Sequence, residues 1–247
     1  MSYLIVGASS GLGRELAFAF AKEKKNLVLI SRDQRDLNAL QSDLELRFNI
    51  KAKTIPLDFS SVNEISQKLL SQEELFKDIK GILFPIGLMF ENDNFETNTE
   101  NVKKLIFANF ISISYTINKL SNYLKDNNST IVGFGSVSGL LGRNLNSNYA
   151  AAKRGLESFF ESLAFEQKFQ NTKIQFYTLG YLDTNLAFGK GIKLPKGSTK
   201  KLAKIVFEKR NINFKKSFYP KFWAPIGFLL KVLPFSILIK LYKIFKK

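Results

Sequence analysis

Neither cysteine nor histidine occurs anywhere in the 247 residues. Without cysteine there is no disulfide and no thiolate nucleophile or metal ligand. Without histidine, imidazole triads and His-ligated metal centres fall away as well. Acidic residues are scarce at one end. Residues 190–247 carry sixteen Lys or Arg against the single acid Glu208, so nearly all of the formal charge of +16 lies there and residues 1–189 are close to neutral. Such asymmetry points to a polyanionic partner, an anionic membrane surface or nucleic acid, and no nucleic-acid motif accompanies it, which makes nucleic acid unlikely. A membrane-spanning helix needs about 20 mostly apolar residues, and Pro225, Lys231 and Pro234 interrupt the apolar stretches Phe222–Leu230 and Val232–Ile239. The pattern reads as a basic amphipathic extension at an interface, where each lysine near anionic headgroups contributes about 1 kcal/mol. The other reading is a closing helix packed on a neighbouring subunit or over a substrate cleft. An apolar strand from residue 3 leaves no room for a signal peptide. The expected location is cytoplasmic, peripheral at the inner face of the cell membrane.

What the chain does contain is concentrated in two motifs. Ser136 lies thirteen residues before Tyr149, which opens Tyr149-Ala150-Ala151-Ala152-Lys153. A Tyr and a Lys four apart on a helix share one face. An ammonium near a phenol stabilises the phenolate and draws its pKa from about 10 toward working pH, which makes the Tyr a general acid or base. The second motif is Leu4-Ile5-Val6-Gly7-Ala8-Ser9-Ser10-Gly11-Leu12-Gly13, a short apolar strand running into Gly-x-x-x-Gly-x-Gly. Glycines there permit a tight turn, so that helix-start N–H groups can hold a pyrophosphate.

Strand-like runs at 3–6, 26–31, 52–56, 80–85, 129–134 and 173–178 alternate with helical stretches. That alternation predicts an α/β doubly wound parallel sheet, and 247 residues at 45% hydrophobic suit one core. Residues 1–190 are expected to form the dinucleotide-binding and catalytic part. Residues 191–247 are expected to add a substrate lid, the last strand and the basic segment of the same domain.

In the order and separation of its motifs the chain resembles the short-chain dehydrogenase/reductase superfamily of classical type over roughly residues 3–190, which implies a single-domain Rossmann-like fold. By that resemblance Tyr149 exchanges a proton with the substrate oxygen and Ser136 hydrogen-bonds the same oxygen. Lys153 binds the nicotinamide ribose and lowers the Tyr pKa, and Asn109 holds a proton-relay water beside the Lys. Gly7, Ser9, Ser10, Gly11, Leu12 and Gly13 form the cofactor turn. Asp58 falls where an acidic residue contacts adenine, though it reads equally as a turn or cap residue. Phe84-Pro85-Ile86-Gly87 stands in place of Asn-Asn-Ala-Gly and keeps only Gly87. Leu179-Gly180-Tyr181-Leu182-Asp183-Thr184 corresponds to the Pro-Gly segment, with Gly180 under the nicotinamide, Thr184 near its carboxamide and Leu182 between them. At the end of the second strand Ser31 and Arg32 suit a 2′-phosphate, which favours NADP(H) over NAD(H), while Asp33 reads as the cap of the next helix. A homo-oligomer is also implied.

A narrower resemblance bears on substrate. Gly81–Met89 and Phe222-Trp223-Ala224-Pro225 before a basic apolar helix look like a bacterial branch that reduces a polyprenylphosphoryl 2-keto-pentose. That implies a lipid-linked keto-sugar or other membrane-borne ketone. The alternatives are a soluble carbonyl or 3-oxoacyl reductase and a non-catalytic dinucleotide-binding scaffold. Residues Asn185 to Phe214 are expected to form the lid.

Overall fold

Short apolar strands separated by helices with one apolar face leave few ways to bury both, and the chain adopts the doubly wound one. The structure, a computed structural model, describes residues 1–69, 71–91, 93–142, 144–184 and 195–245. The first half runs β1 (Ser2–Val6), α1 (Gly11–Lys22), β2 (Asn26–Ser31), α2 (Gln34–Phe48) and β3 (Ala52–Pro56). A short α3 (Val62–Glu64) leads to β4 (Ile79–Phe84), α4 (Thr99–Ile106), α5 (Ser112–Lys119) and α6 (Ser121–Asp126). Then come β5 (Thr130–Ser136), α7 (Ser147–Phe165), β6 (Lys173–Leu179), α8 (Thr199–Lys209) and β7 (Phe214–Tyr219). Two helices close the chain, α9 (Trp223–Val232) and α10 (Phe235–Phe245).

All seven strands are parallel, in the order β3-β2-β1-β4-β5-β6-β7. The order reverses between β1 and β4, and ligands in such sheets bind beyond the strand carboxyl ends at that switch point. The central strands are buried almost throughout, as parallel strands covered on both faces must be. On one face Leu16, Phe20, Leu40, Leu202 and Val206 from α1, α2 and α8 pack together. On the other, Ile113, Ile117, Leu156 and Phe160 from α5 and α7 do the same.

The structure amends one expectation and locates one strand. The six strand-like runs recur as β1 to β6, and the strand within residues 191–247 is β7, whose sequence Phe214-Lys215-Lys216-Ser217-Phe218-Tyr219 has no apolar run to mark its place. It is an edge strand, and lysines on an edge discourage further pairing. The expected lid from Asn185 to Phe214 is too long. Residues 185–194 lie outside the described residues, but Thr199–Lys209 is α8, which buries Leu202, Ala203 and Val206. It is framework, because its apolar face has α1 to cover.

The basic extension folds as two helices rather than one. Pro225 sits in the first turn of α9, where its missing N–H costs nothing, whereas Leu233 before Pro234 is extended and ends the helix. Among the described residues no helix is long and apolar enough to cross a membrane.

Candidate functional site

At the end of β1 the chain turns through Gly7, with φ at +85°, and enters α1 at Gly11. Ser10 takes the N-cap position without capping through its side chain, and no acid occupies the first turn, so the positive helix end stays free for an anion. Gly13 holds α1 against the turn: a Cβ there would stand 1.9 Å from the Gly7 carbonyl oxygen. Such a cradle fits a phosphate-bearing ligand such as a dinucleotide pyrophosphate.

The turn opens on a cavity of about 880 Å3. Gly7, Ser9, Ser10, Gly11 and Leu12 line it, together with Ser31, Arg32 and Asp58 from the ends of β2 and β3. Gly87, Ser136, Tyr149, Lys153, Gly180, Leu182 and Thr184 line the same cavity. The Ser9 and Ser31 hydroxyls hydrogen-bond at 2.7 Å, and Arg32 is exposed beside them. Asp33 accepts from Arg35 N and Asp36 N at 2.8 and 3.1 Å as the α2 N-cap, so it is committed to the helix. Asp58 lines the cavity and, as a turn residue, accepts from the backbone N–H and hydroxyl of Ser60 at 2.8 Å each.

Ser136 ends β5 and accepts a hydrogen bond from Ser138 N at 3.1 Å. Tyr149 and Lys153 project from the first turns of α7, and the Lys153 ammonium lies 5.9 Å from the Tyr149 ring centroid. Lys153 is only 3% exposed. Its ammonium donates to the carbonyl oxygens of Ile86 at 3.2 Å and Phe134 at 3.1 Å, and burial pushes its pKa down to about 7. Ile86 belongs to the segment that departs from Asn-Asn-Ala-Gly. A backbone carbonyl serves Lys153 there, so the side-chain change leaves this contact intact.

Two residues of the sequence-derived set do not line the cavity. Gly13 acts from beneath the turn, as described. Asn109 is fully buried in a π-helical turn, Phe107–Ile111, and its side chain is bonded to the backbone around it. Both amide hydrogens are already donated, to Leu88 O at 2.7 Å and Leu105 O at 2.9 Å, and its oxygen accepts from Leu88 N at 3.2 Å. Asn109 thus fixes the backbone of Leu88, which does line the cavity. The π-turn, a feature frequent at functional sites, aims the amide inward.

Asp93, which no sequence motif marks, also bears on the site. It is 1% exposed and accepts from Asn148 N at 3.1 Å, Asn148 Nδ2 at 2.8 Å and Tyr149 N at 2.8 Å. The α7 N-cap residue, Asn146, is left-handed and makes no side-chain cap, so Asp93 caps the helix from fifty-five residues away in sequence. No local pattern marks such a pairing.

The family model for short chain dehydrogenase matches residues 2–191. A dehydrogenase/reductase SDR family protein 7-like from Anopheles gambiae is 30% identical over 189 residues, covering 74% of this chain and 60% of that protein. A very-long-chain 3-oxoacyl-CoA reductase from Vanderwaltozyma polyspora is 28% identical over 199 residues, covering 74% and 55% respectively. The chain thus matches little more than half the length of these curated relatives. Among solved structures, a short-chain dehydrogenase from Sphingobium yanoikuyae in complex with NADPH superimposes with a TM-score of 0.76 at 20% identity, covering 94% of this chain and 96% of that one. On its matched family model, with a seven-stranded parallel sheet bearing both motifs on one cavity, the chain belongs to the short-chain dehydrogenase/reductase family.

Proposed function

We propose that this protein is an NADP(H)-dependent oxidoreductase that interconverts a carbonyl and an alcohol, working on a membrane-borne ketone. The observation that carries this reading is that the glycine turn and the Ser136, Tyr149 and Lys153 side chains line one cavity. The bound dinucleotide supplies the hydride for the carbonyl carbon. Tyr149 gives its phenol proton to the substrate oxygen, and Ser136 donates a hydrogen bond to that oxygen. Lys153 holds the ribose and, when charged, favours the phenolate left behind. Gly7 to Gly13 hold the pyrophosphate, Asp58 faces the adenine, and Gly87, Gly180, Leu182 and Thr184 surround the nicotinamide. Asn109 and Asp93 are positioning residues, acting through Leu88 and through the start of α7.

NADP(H) is preferred to NAD(H) because Ser31 and Arg32 line the cavity while Asp33, the acid that could repel a 2′-phosphate, is used as a helix cap. The solved neighbour's NADPH supports the same choice. A ketone on a long apolar carrier suits both the keto-sugar resemblance and the relative that is a very-long-chain 3-oxoacyl-CoA reductase. The basic extension would bring the enzyme to the anionic face where such a carrier lies, and a homo-oligomer remains part of the reading.

The test is NADPH oxidation by the purified protein against organic-soluble and aqueous extracts of source cells, with Tyr149→Phe as control. Consumption confined to the lipid extract and abolished by Tyr149→Phe is the expected result. Consumption confined to the aqueous extract would replace the membrane-borne ketone with a soluble one, and none with either extract would leave the scaffold reading.

A further inference from the structure

One face of the C-terminal helix pair has no cover among the described residues. The inner side of α9 is spoken for. Trp223 lies against Gly180, where an added Cβ would stand 2.0 Å from the indole nitrogen, and Gly227 meets the Phe218 ring. Lys231 bonds Glu157 of α7 at 3.1 Å. Phe228, Leu229 and Val232 of α9 and Phe235 and Ile239 of α10, which pair up at helical spacing, are all exposed, with Phe228 at 68% and Phe235 at 67%. Exposed Lys221 and Lys240 flank them. An apolar patch of this extent rimmed by cations marks an interaction surface.

We infer that α9 and α10 dock this face on an anionic lipid surface, with the apolar side chains at the headgroup boundary and the lysines among the phosphates. A second copy of the chain is the poorer occupant, because it would bring two segments rich in lysine, each with one acid, face to face. Nucleic acid rewards the cations but gives the bare phenylalanines and leucines nothing to bury against. Docking also sets the cavity beside the lipid. Gly180 and Tyr181 line that cavity, Trp223 packs on both, and α9 rests on the turn Val137–Leu140 that follows Ser136. The docking itself is independent of the reaction, whereas its use in delivering a ketone rests on the reductase reading.

The experiment is flotation of the full-length protein with phosphatidylcholine vesicles, with and without phosphatidylglycerol. The wild type is expected to float only with the anionic vesicles and to be released by salt. Phe228→Ser/Leu229→Ser/Phe235→Ser should lower partitioning at least about tenfold. Lys221→Gln/Lys240→Gln, which leaves the apolar face alone, should lower it about fivefold for each lysine. NADPH affinity should be unchanged in both variants, which reports that they are folded. Absence of wild-type flotation, or equal flotation of wild type and both variants, overturns the inference. So does a concentration-dependent doubling of mass that the apolar variant abolishes without any flotation. A protein that oxidises NADPH with a ketone but does not float loses the docking and keeps the reductase, and one that floats but never consumes NADPH does the reverse.

Discussion

Lys153→Met should stabilise the cofactor-free protein in mild acid while destroying its activity. Burial lowers the Lys153 pKa from 10.5 to about 7, so between those values the unfolded chain binds a proton that the folded chain does not. Stability therefore rises with pH across that window. Below it the folded protein carries the full penalty of a buried ammonium, about 4 to 5 kcal/mol at 1.36 kcal/mol per pKa unit. Methionine fills similar space without the charge, but it forfeits the two hydrogen bonds to Ile86 O and Phe134 O, worth about 1 to 3 kcal/mol. The balance at pH 6 favours the variant by about 2 kcal/mol, or about 4 to 8 °C in Tm for a chain of this size. Near pH 10.5 the penalty is gone, and the variant should be less stable by the value of the lost bonds. Thermal unfolding of both proteins from pH 6 to pH 10 reads the crossing. A variant less stable at pH 6, or a difference that does not move with pH, would show that the ammonium is not paying for its burial, and the account of Lys153 would fail.

Gly13→Ala must move the glycine turn, since its Cβ would stand 1.9 Å from Gly7 O; NADPH titration should give at least about a tenfold weaker dissociation constant. Asp93→Asn replaces one acceptor oxygen by an NH2 that meets N–H donors at the start of α7. It should lower kcat at least about tenfold and cost about 2 kcal/mol of stability, with NADPH binding unchanged. Equal losses in kcat and NADPH affinity would argue against a positioning role. Gly180→Ala collides with the Trp223 indole and should cost about 1 to 3 kcal/mol, while the double variant with Trp223→Leu should recover much of that in thermal unfolding.

The legible parts of this molecule are those written within a few residues. The apolar runs of β1 to β6, the glycine turn and the Tyr149 to Lys153 spacing each obey a short-range rule, and all reappear in place. What stayed hidden depends on distance or on competition between rules. Asp93 caps a helix far along the chain, and the place of β7 within residues 191–247 is set by pairing rather than by its own hydrophobicity. Asn109 looks like a polar residue free to meet water, yet a π-turn that no composition announces commits its amide to the backbone. Residues 199–209 read as lid in the sequence because α8 has a polar outer face and hides its apolar one against α1.

Glu157 ties two parts of the C-terminal layer to α7, sharing Lys216 with Glu161. Its carboxylate on α7 bonds Lys216 of β7 at 2.6 Å and Lys231 of α9 at 3.1 Å. Burial pushes its pKa up, but the two ammoniums outweigh that and hold it below the usual carboxylate value. The stability it contributes is present above its unfolded pKa near 4.5 and is lost as pH falls through the lower folded one. Acid thus loosens the edge strand and the terminal helices together, while the glycine turn has no part in that knot. Limited proteolysis at falling pH should clip the lysine-rich end before the nucleotide fold gives way, so that the same carboxylate sets the order in which this protein comes apart.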